Sequence, residues 1–172
     1  MMTFTSFAAT HTHSYTNGIC ECGAHNGDHT GWTEWKASEH GGKLPSEAGN
    51  YYLTEDVTLV QQETPPSCWR VPEGTTNLCL NGHVIKQTAS GWNVLELDSE
   101  SALNIYDCDT TTEHYFTEND GLWVIQDAKD EDTDYTVKGG VITGGDIHGD
   151  PLGGAITVGY EDASVSFNSG NI

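Results

Sequence analysis

Short runs of alternating apolar and polar residues, each closed by a turn rich in Gly, Asn or Asp, fill the chain from Trp69 onward. Leu78-Cys79-Leu80-Asn81-Gly82-His83-Val84-Ile85 is answered by Tyr135-Thr136-Val137-Lys138-Gly139-Gly140-Val141-Ile142 and by Val165-Ser166-Phe167-Asn168-Ser169-Gly170-Asn171-Ile172. Leu103-Asn104-Ile105-Tyr106-Asp107-Cys108 is a looser copy. Aligning Leu80, Ile105, Val137 and Phe167 gives steps of 25, 32 and 30 residues, the length of one solenoid coil. A second apolar run precedes each copy, at 69–71, 94–97, 122–125 and 156–158, so each coil carries two strands and a third, short one at its closing aliphatic. Strands this short cannot bury a face alone, but stacked coils give each a parallel neighbour and a common interior. The pattern predicts an all-β fold, a right-handed parallel β-helix with a small Cys/His-rich segment at its N-terminal side. An antiparallel β-sandwich, which also has short strands and Gly-rich turns, is the competing architecture.

The apolar rhythm divides the chain into four stretches. Residues 1–9 end in Ser6-Phe7-Ala8, a small-x-small cleavage pattern, and read as the tail of a secretory signal. Residues 10–31 have no apolar periodicity. Residues 32–68 form an N-terminal cap and first coil, and residues 69–172 form the β-helix coils. Trp32, Trp35, Tyr51 and Tyr52 suit a cap over the open end of a solenoid, and such rings also stack on sugars.

Residues 10–31 hold His11-x-His13, Cys20-x-Cys22, His25 and His29. Too few apolar side chains are present to fold this segment by burial. Paired soft donors on either side of a turn at 15–18 match a tetrahedral structural zinc, with His13, Cys20 and Cys22 as the preferred ligands and His11, His25 or His29 as the fourth. The alternatives are exposed loop histidines, a strained bond between Cys20 and Cys22, or pairing of one of them with a core cysteine. The five cysteines are odd in number, and a disulfide joining Cys79 to Cys108, or one involving Cys68, stays open.

The chain carries 6 Lys and Arg against 26 Asp and Glu, for a formal net charge of −20. Nucleic acid, whose phosphates need clustered cations, is excluded as a partner on that count. No stretch is long enough to span a bilayer as an apolar helix. The low charged fraction and abundant Gly point to a folded, turn-rich β protein with an extracellular or cell-surface address.

The run HTHSYTNGICECGA, then WTEWKASEHGGKLPSEAGNYYLTEDVTL, TTNLCLNGHVI, SALNIYDC and GGAITV with ASVSFNSGNI resembles the N-terminal part of large secreted β-helix repeat proteins of gut-type Firmicutes. The resemblance covers nearly the whole chain. It implies a pectate-lyase-like fold and a surface or adhesin-type role.

Two loops leave the coils, as loops that build a solenoid's binding surface do. Residues 109–121 carry His114 and Tyr115, and residues 143–154 carry Asp146, His148 and Asp150; with Trp32 and Trp35 these are the candidate ligand-binding residues for glycans. Asp127, Asp130, Glu131, Asp132 and Asp134 form an acidic turn that reads as a solvated charge run, with calcium the alternative. Asn77, Asn81, Asn104 and Asn168 near the turns suggest stacked side-chain amides.

An adhesive or structural module is therefore the leading function, with no catalytic residue assigned. A carbohydrate-active lyase or hydrolase fragment is the rival, resting on Arg70 and on the acid pairs Asp146/Asp150 and Asp107/Asp109. Because the sequence stops at Ile172 inside a repeat, the expectation is that further coils follow or that the last strand edge pairs with another copy, head to tail, into fibres.

Overall fold

The computed structural model describes residues 14–20, 24–59, 68–90, 93–119, 122–146, 156–159 and 162–169, with the backbone alone described at 89–90, 119, 122–123 and 145–146. Within them the protein is all-β, built of several parallel sheets with no closed barrel. A small antiparallel hairpin of β1 (Tyr15–Thr16) and β2 (Ile19–Cys20) comes first, then β3 (Thr33–Trp35) and a 3-10 turn over Ala37–His40. One pass of three short strands follows as β4 (Asn50–Leu53), β5 (Val57–Leu59) and β6 (Trp69–Val71), and a second as β7 (Gly74–Cys79), β8 (Val84–Ser90) and β9 (Leu95–Leu97). The third begins with β10 (Ser101–Tyr106) and is interrupted by β11 (Glu113–Asn119), β12 (Leu122–Gln126) and β13 (Tyr135–Lys138). It resumes with β14 (Val141–Asp146) and β15 (Ile156–Val158), and β16 (Ser164–Phe167) opens the next.

Equivalent strands of successive passes pair in parallel. One sheet runs β16-β10-β7-β4-β3, a second β14-β8-β5, and a third β15-β9-β6. The register places Asn50 beside Asn77 and Asn77 beside Asn104, a step of 27 residues each time. Val57, Ile85 and Ile142 share another row, and Trp69, Leu95 and Ile156 a third. Alternation then turns one side of each sheet inward. Leu53, Val57, Val71, Leu78, Ile85, Leu95, Leu97, Leu103, Ile105 and Ile142 join a single buried cluster, where each large aliphatic gains about 1.5–3 kcal/mol by leaving water.

The parallel pairing is not that of an antiparallel sandwich, but the details of the repeat differ from the sequence alignment. Ile105 pairs with Leu78, not Leu80, and Phe167 pairs with Ile105. The alignment was therefore two residues out, a slip that keeps every side chain on its face and so leaves the apolar pattern unchanged. Val137 belongs to none of these rows. It lies in the antiparallel sheet β12-β11-β13, which packs beside the stack through Phe116, Val84 and Val141, with Ile125 and Val137 against them. Val141 and Ile142, the closing aliphatics of that same copy, do return to register with Val84 and Ile85.

Polar side chains reinforce the stack from outside. Asn77 donates from Nδ2 to Asn50 Oδ1 at 2.7 Å and Asn104 to Asn77 Oδ1 at 2.9 Å, while Asn81 donates to the carbonyl of Leu53. On the inward face of the same sheet, Trp35 and Tyr51 pack against the core from its first strands, with His40 stacked on Trp35 at a ring separation of 3.9 Å.

Candidate metal centre

Three side chains lie in one row on the face of the five-stranded sheet turned away from the main core: Tyr52, Cys79 and Tyr106, on β4, β7 and β10. Alternation between Leu78 and Leu80 directs Cys79 to this outer face, yet the thiol is 0% exposed. The segment at 24–32 lies over it, and Trp32, Cys79 and Tyr106 form a second buried cluster. Cys108 sits just past β10, its Sγ 3.3 Å from Asn81 Oδ1.

Backbone turns hold the covering segment in place. Cys20 N donates to Ala24 O, Asn26 N to Gly18 O, Asp28 N to Asn26 Oδ1, Thr30 N to Asp28 Oδ1 and Trp32 N to His29 O. The Trp32 indole donates to Asn17 O at 2.7 Å. Gly18 takes φ +79°, and a Cβ there would stand 2.2 Å from Asp28 O and 3.0 Å from His25 Nε2, so only glycine lets the hairpin close over His25. His29 then stacks on Tyr52 with ring centroids 4.1 Å apart, and His25 meets Trp32 edge-on at 4.7 Å.

The result is a set of two imidazoles and two thiols, His25, His29, Cys79 and Cys108, with one donor atom from each lying within 4.8 Å of every other. Cys79 Sγ and Cys108 Sγ are 3.0 Å apart, and Cys108 Sγ is 3.5 Å from His29 Nε2. This group can hold a metal ion. Tetrahedral bonds of about 2.3 Å to sulfur and 2.0–2.1 Å to nitrogen space ligand atoms roughly 3.3–3.8 Å apart, so the four donors, all within 4.8 Å of one another, come onto one ion by changes in separation of up to about 1.5 Å.

The electrostatics favour the ligating forms of His25, His29 and Cys108 and oppose that of Cys79. Burial, then the neighbouring His29, holds the His25 imidazole below the ordinary histidine range, and burial does the same for His29. Both rings are therefore neutral near pH 7, as metal binding requires. The Cys79 S–H bonded to Cys108 lowers the Cys108 thiol, so Cys108 ionises first and the second proton is harder to remove. His25 Nε2 is buried without a hydrogen-bond partner, while Gly27 N–H donates to Nδ1 at 3.1 Å. Ligation through Nε2 satisfies that orphan, and it moves the ring proton to Nδ1, from which Gly27 N–H must then turn away.

Of the zinc ligands expected from sequence, His25 and His29 are brought together here. Cys20 is buried in β2 outside the four-residue group, and His11, His13 and Cys22 lie outside the described residues. The unforeseen half is Cys79 and Cys108. Their signal was present: two cysteines 29 residues apart, one on the outer face of a strand beside tyrosines. Cys79, Cys108 and Cys68 are free thiols. Cys68 donates to Glu96 Oε2 on the third sheet, and burial pushes its thiol up to about 11.

Other candidate residues lie apart. Trp32 is enclosed in the second cluster, and Trp35 stacks on His40 and meets Tyr51 edge-on. His114 Nε2 is 2.8 Å from Gly82 O, and Tyr115 bonds Glu113. For Asp146 the backbone alone is described, pairing with Ser90, and His148 and Asp150 lie outside the described residues. In the acidic turn, Asp130 accepts from Gln126 and from Asp132 N.

The acid pair Asp107/Asp109 is engaged by backbone N–H groups and threonine hydroxyls. Asp107 is buried and accepts from Gly82 N at 2.8 Å and Gly140 N at 2.7 Å. Asp109 accepts from Thr111 and Thr112, whose bonds hold its carboxyl far below the usual range, so it carries no proton to donate near neutrality. No helix among the described residues is long and apolar enough to cross a membrane. Compared with family models, with curated proteins and with solved structures, the chain gives no match.

Proposed function

We propose that this chain is a secreted or cell-surface structural and adhesive module, a right-handed parallel β-helix whose N-terminal segment is clasped to the coils by a structural zinc ion. Two observations support the solenoid: three parallel sheets are filled in the same order by successive passes, and their registers repeat; the right hand is taken from the general rule for crossovers between parallel strands. The extracellular, adhesin-type role rests on the acidic, turn-rich composition and on the resemblance in the repeat phrases, with glycans of a host or bacterial surface as the partner class.

The single observation that carries the clasp is the convergence of His25 and His29 with Cys79 and Cys108. Two of the four donors belong to a segment with few apolar side chains and two to adjacent coils, so one ion ties together pieces that burial alone holds weakly. Four protein ligands leave no open position for substrate, the arrangement of a structural rather than a catalytic zinc.

Elemental analysis of the reduced, zinc-loaded protein tests the clasp: one zinc per chain is expected, and Cys108→Ser removes it. At free zinc a hundredfold above Kd the ion stabilises the fold by about 2.7 kcal/mol, read as a fall in unfolding midpoint on chelation. Reduced protein that takes up no zinc sinks the clasp.

A further inference from the structure

We infer that Cys79 and Cys108 form a thiol–disulfide exchange site, and that the bond between them and the metal are alternative occupants of the same pair of sulfurs. The second half rests on the metal reading above; the first does not. The two Sγ atoms stand 3.0 Å apart. Two thiolates on one tetrahedral zinc are held about 3.8 Å apart, and a disulfide draws them to about 2.05 Å. The observed spacing falls between the two, with a displacement of about 1 Å or less leading to either.

No strand has to slip for the bond to form. Cys79 closes β7 opposite Tyr106 of β10, and Cys108 lies two residues past Tyr106 at the corner. Access is one-sided: Cys79 is fully buried and Cys108 half-buried. A small oxidant therefore meets Cys108 first, and Cys79 waits behind it as the resolving thiol. Cys68, held by Glu96 on another sheet, is not part of the pair.

The oxidant class is a low-molecular-weight disulfide, and the exchange balances as follows. The Cys108 thiolate attacks one sulfur of the small disulfide, forming a mixed disulfide and expelling one small thiolate. Cys79, as it gives up its proton, attacks Cys108 Sγ and expels the second. Two protein thiols lose two electrons, the small disulfide gains them, and both protons end on the released thiols. The product has lost both anionic ligands, so His25 and His29 alone cannot retain the ion. The tie between segment 24–32 and the coils is then replaced by a tie between the two coils themselves.

The test uses the full chain, reduced and loaded with zinc, then titrated with oxidised glutathione in the presence of a chromogenic zinc chelator. The expected result is release of one zinc per chain in step with loss of two hydrogens in mass, and a peptide map joining Cys79 to Cys108. Hydrogen exchange of residues 24–32 rises at least several-fold on release. A Cys79–Cys108 bond formed while zinc is retained overturns the exclusion. A bond joining other cysteines, or none in excess oxidant, overturns the exchange site. Absence of zinc uptake before any oxidant is added overturns the metal reading alone, and the peptide map still decides whether the pair closes.

Discussion

Asp107 is a carboxylate with almost no water around it, and it survives there because it ties two turns from different passes. It accepts from Gly82 N and from Gly140 N, and Gly139 beside it approaches so closely that a Cβ would stand 2.3 Å from Oδ2. Asp107→Ala removes the acceptor that the buried N–H groups of Gly82 and Gly140 share. The expected loss is about 2–4 kcal/mol, measured as a lower denaturant midpoint with unchanged slope. Cys79 makes the companion point about what a residue reveals in isolation. Its outward direction was readable from alternation, but its burial was not, because the cover comes from a segment some fifty residues earlier whose fold depends on turns at Gly18 and Asn26.

At the scale of elements, the amide ladder of Asn50, Asn77 and Asn104 ties β4, β7 and β10 outside the apolar core. Asn77 is the middle rung, donating to one neighbour and accepting from the other. Asn77→Ala breaks both bonds at a half-buried position and is expected to cost about 1–2 kcal/mol, whereas Asn50→Ala or Asn104→Ala, each breaking one, costs about half as much by the same denaturation assay. Short strands with alternating inward aliphatics were legible in the sequence, and so was the stacking of Asn104 on Asn77, whereas Asn50 went unmarked and Asn81 bonds the Leu53 carbonyl instead. What was not legible was pairing partner and phase. Two-residue slips look alike to an apolar pattern, which is how Leu80 took the place of Leu78 opposite Ile105. Tyr135–Lys138 imitates the repeat closely yet pairs antiparallel with β11, because alternation of period two is common to both kinds of sheet.

For the molecule as a whole, the metal group was half legible: the histidines of the N-terminal segment were marked by composition, while their thiol partners became neighbours only through stacking. Net charge has a whole-molecule consequence too, since protonating carboxylates relieves repulsion but removes local bonds. Asp56 is one such bond-maker, its Oδ1 3.2 Å from His83 Nδ1 and accepting from Val84 N at 3.0 Å. The His83 contact, ahead of the backbone bond, holds its carboxyl below the ordinary range. With a folded pKa under the unfolded value of about 3.9, its stabilisation is complete above that pH and is lost as pH falls through the folded value. More than half of the side chain meets solvent, so screening limits the effect to under about 1 kcal/mol. Urea titrations across pH 2–6 should therefore show Asp56→Ala less stable than the parent at pH 6, with the gap closing below about pH 4.

The antiparallel sheet β12-β11-β13 leaves the stack after β10, and the chain comes back in phase, so that Ser169 bonds Asp107 across 62 residues where neighbouring passes need 27. A scaffold that takes such a detour and still brings Val141 and Ile142 back beside Val84 and Ile85 behaves like a loom with a free warp thread: foreign sequence inserted at that point is woven in as a side panel, and the length of the panel is decoupled from the fabric that carries it.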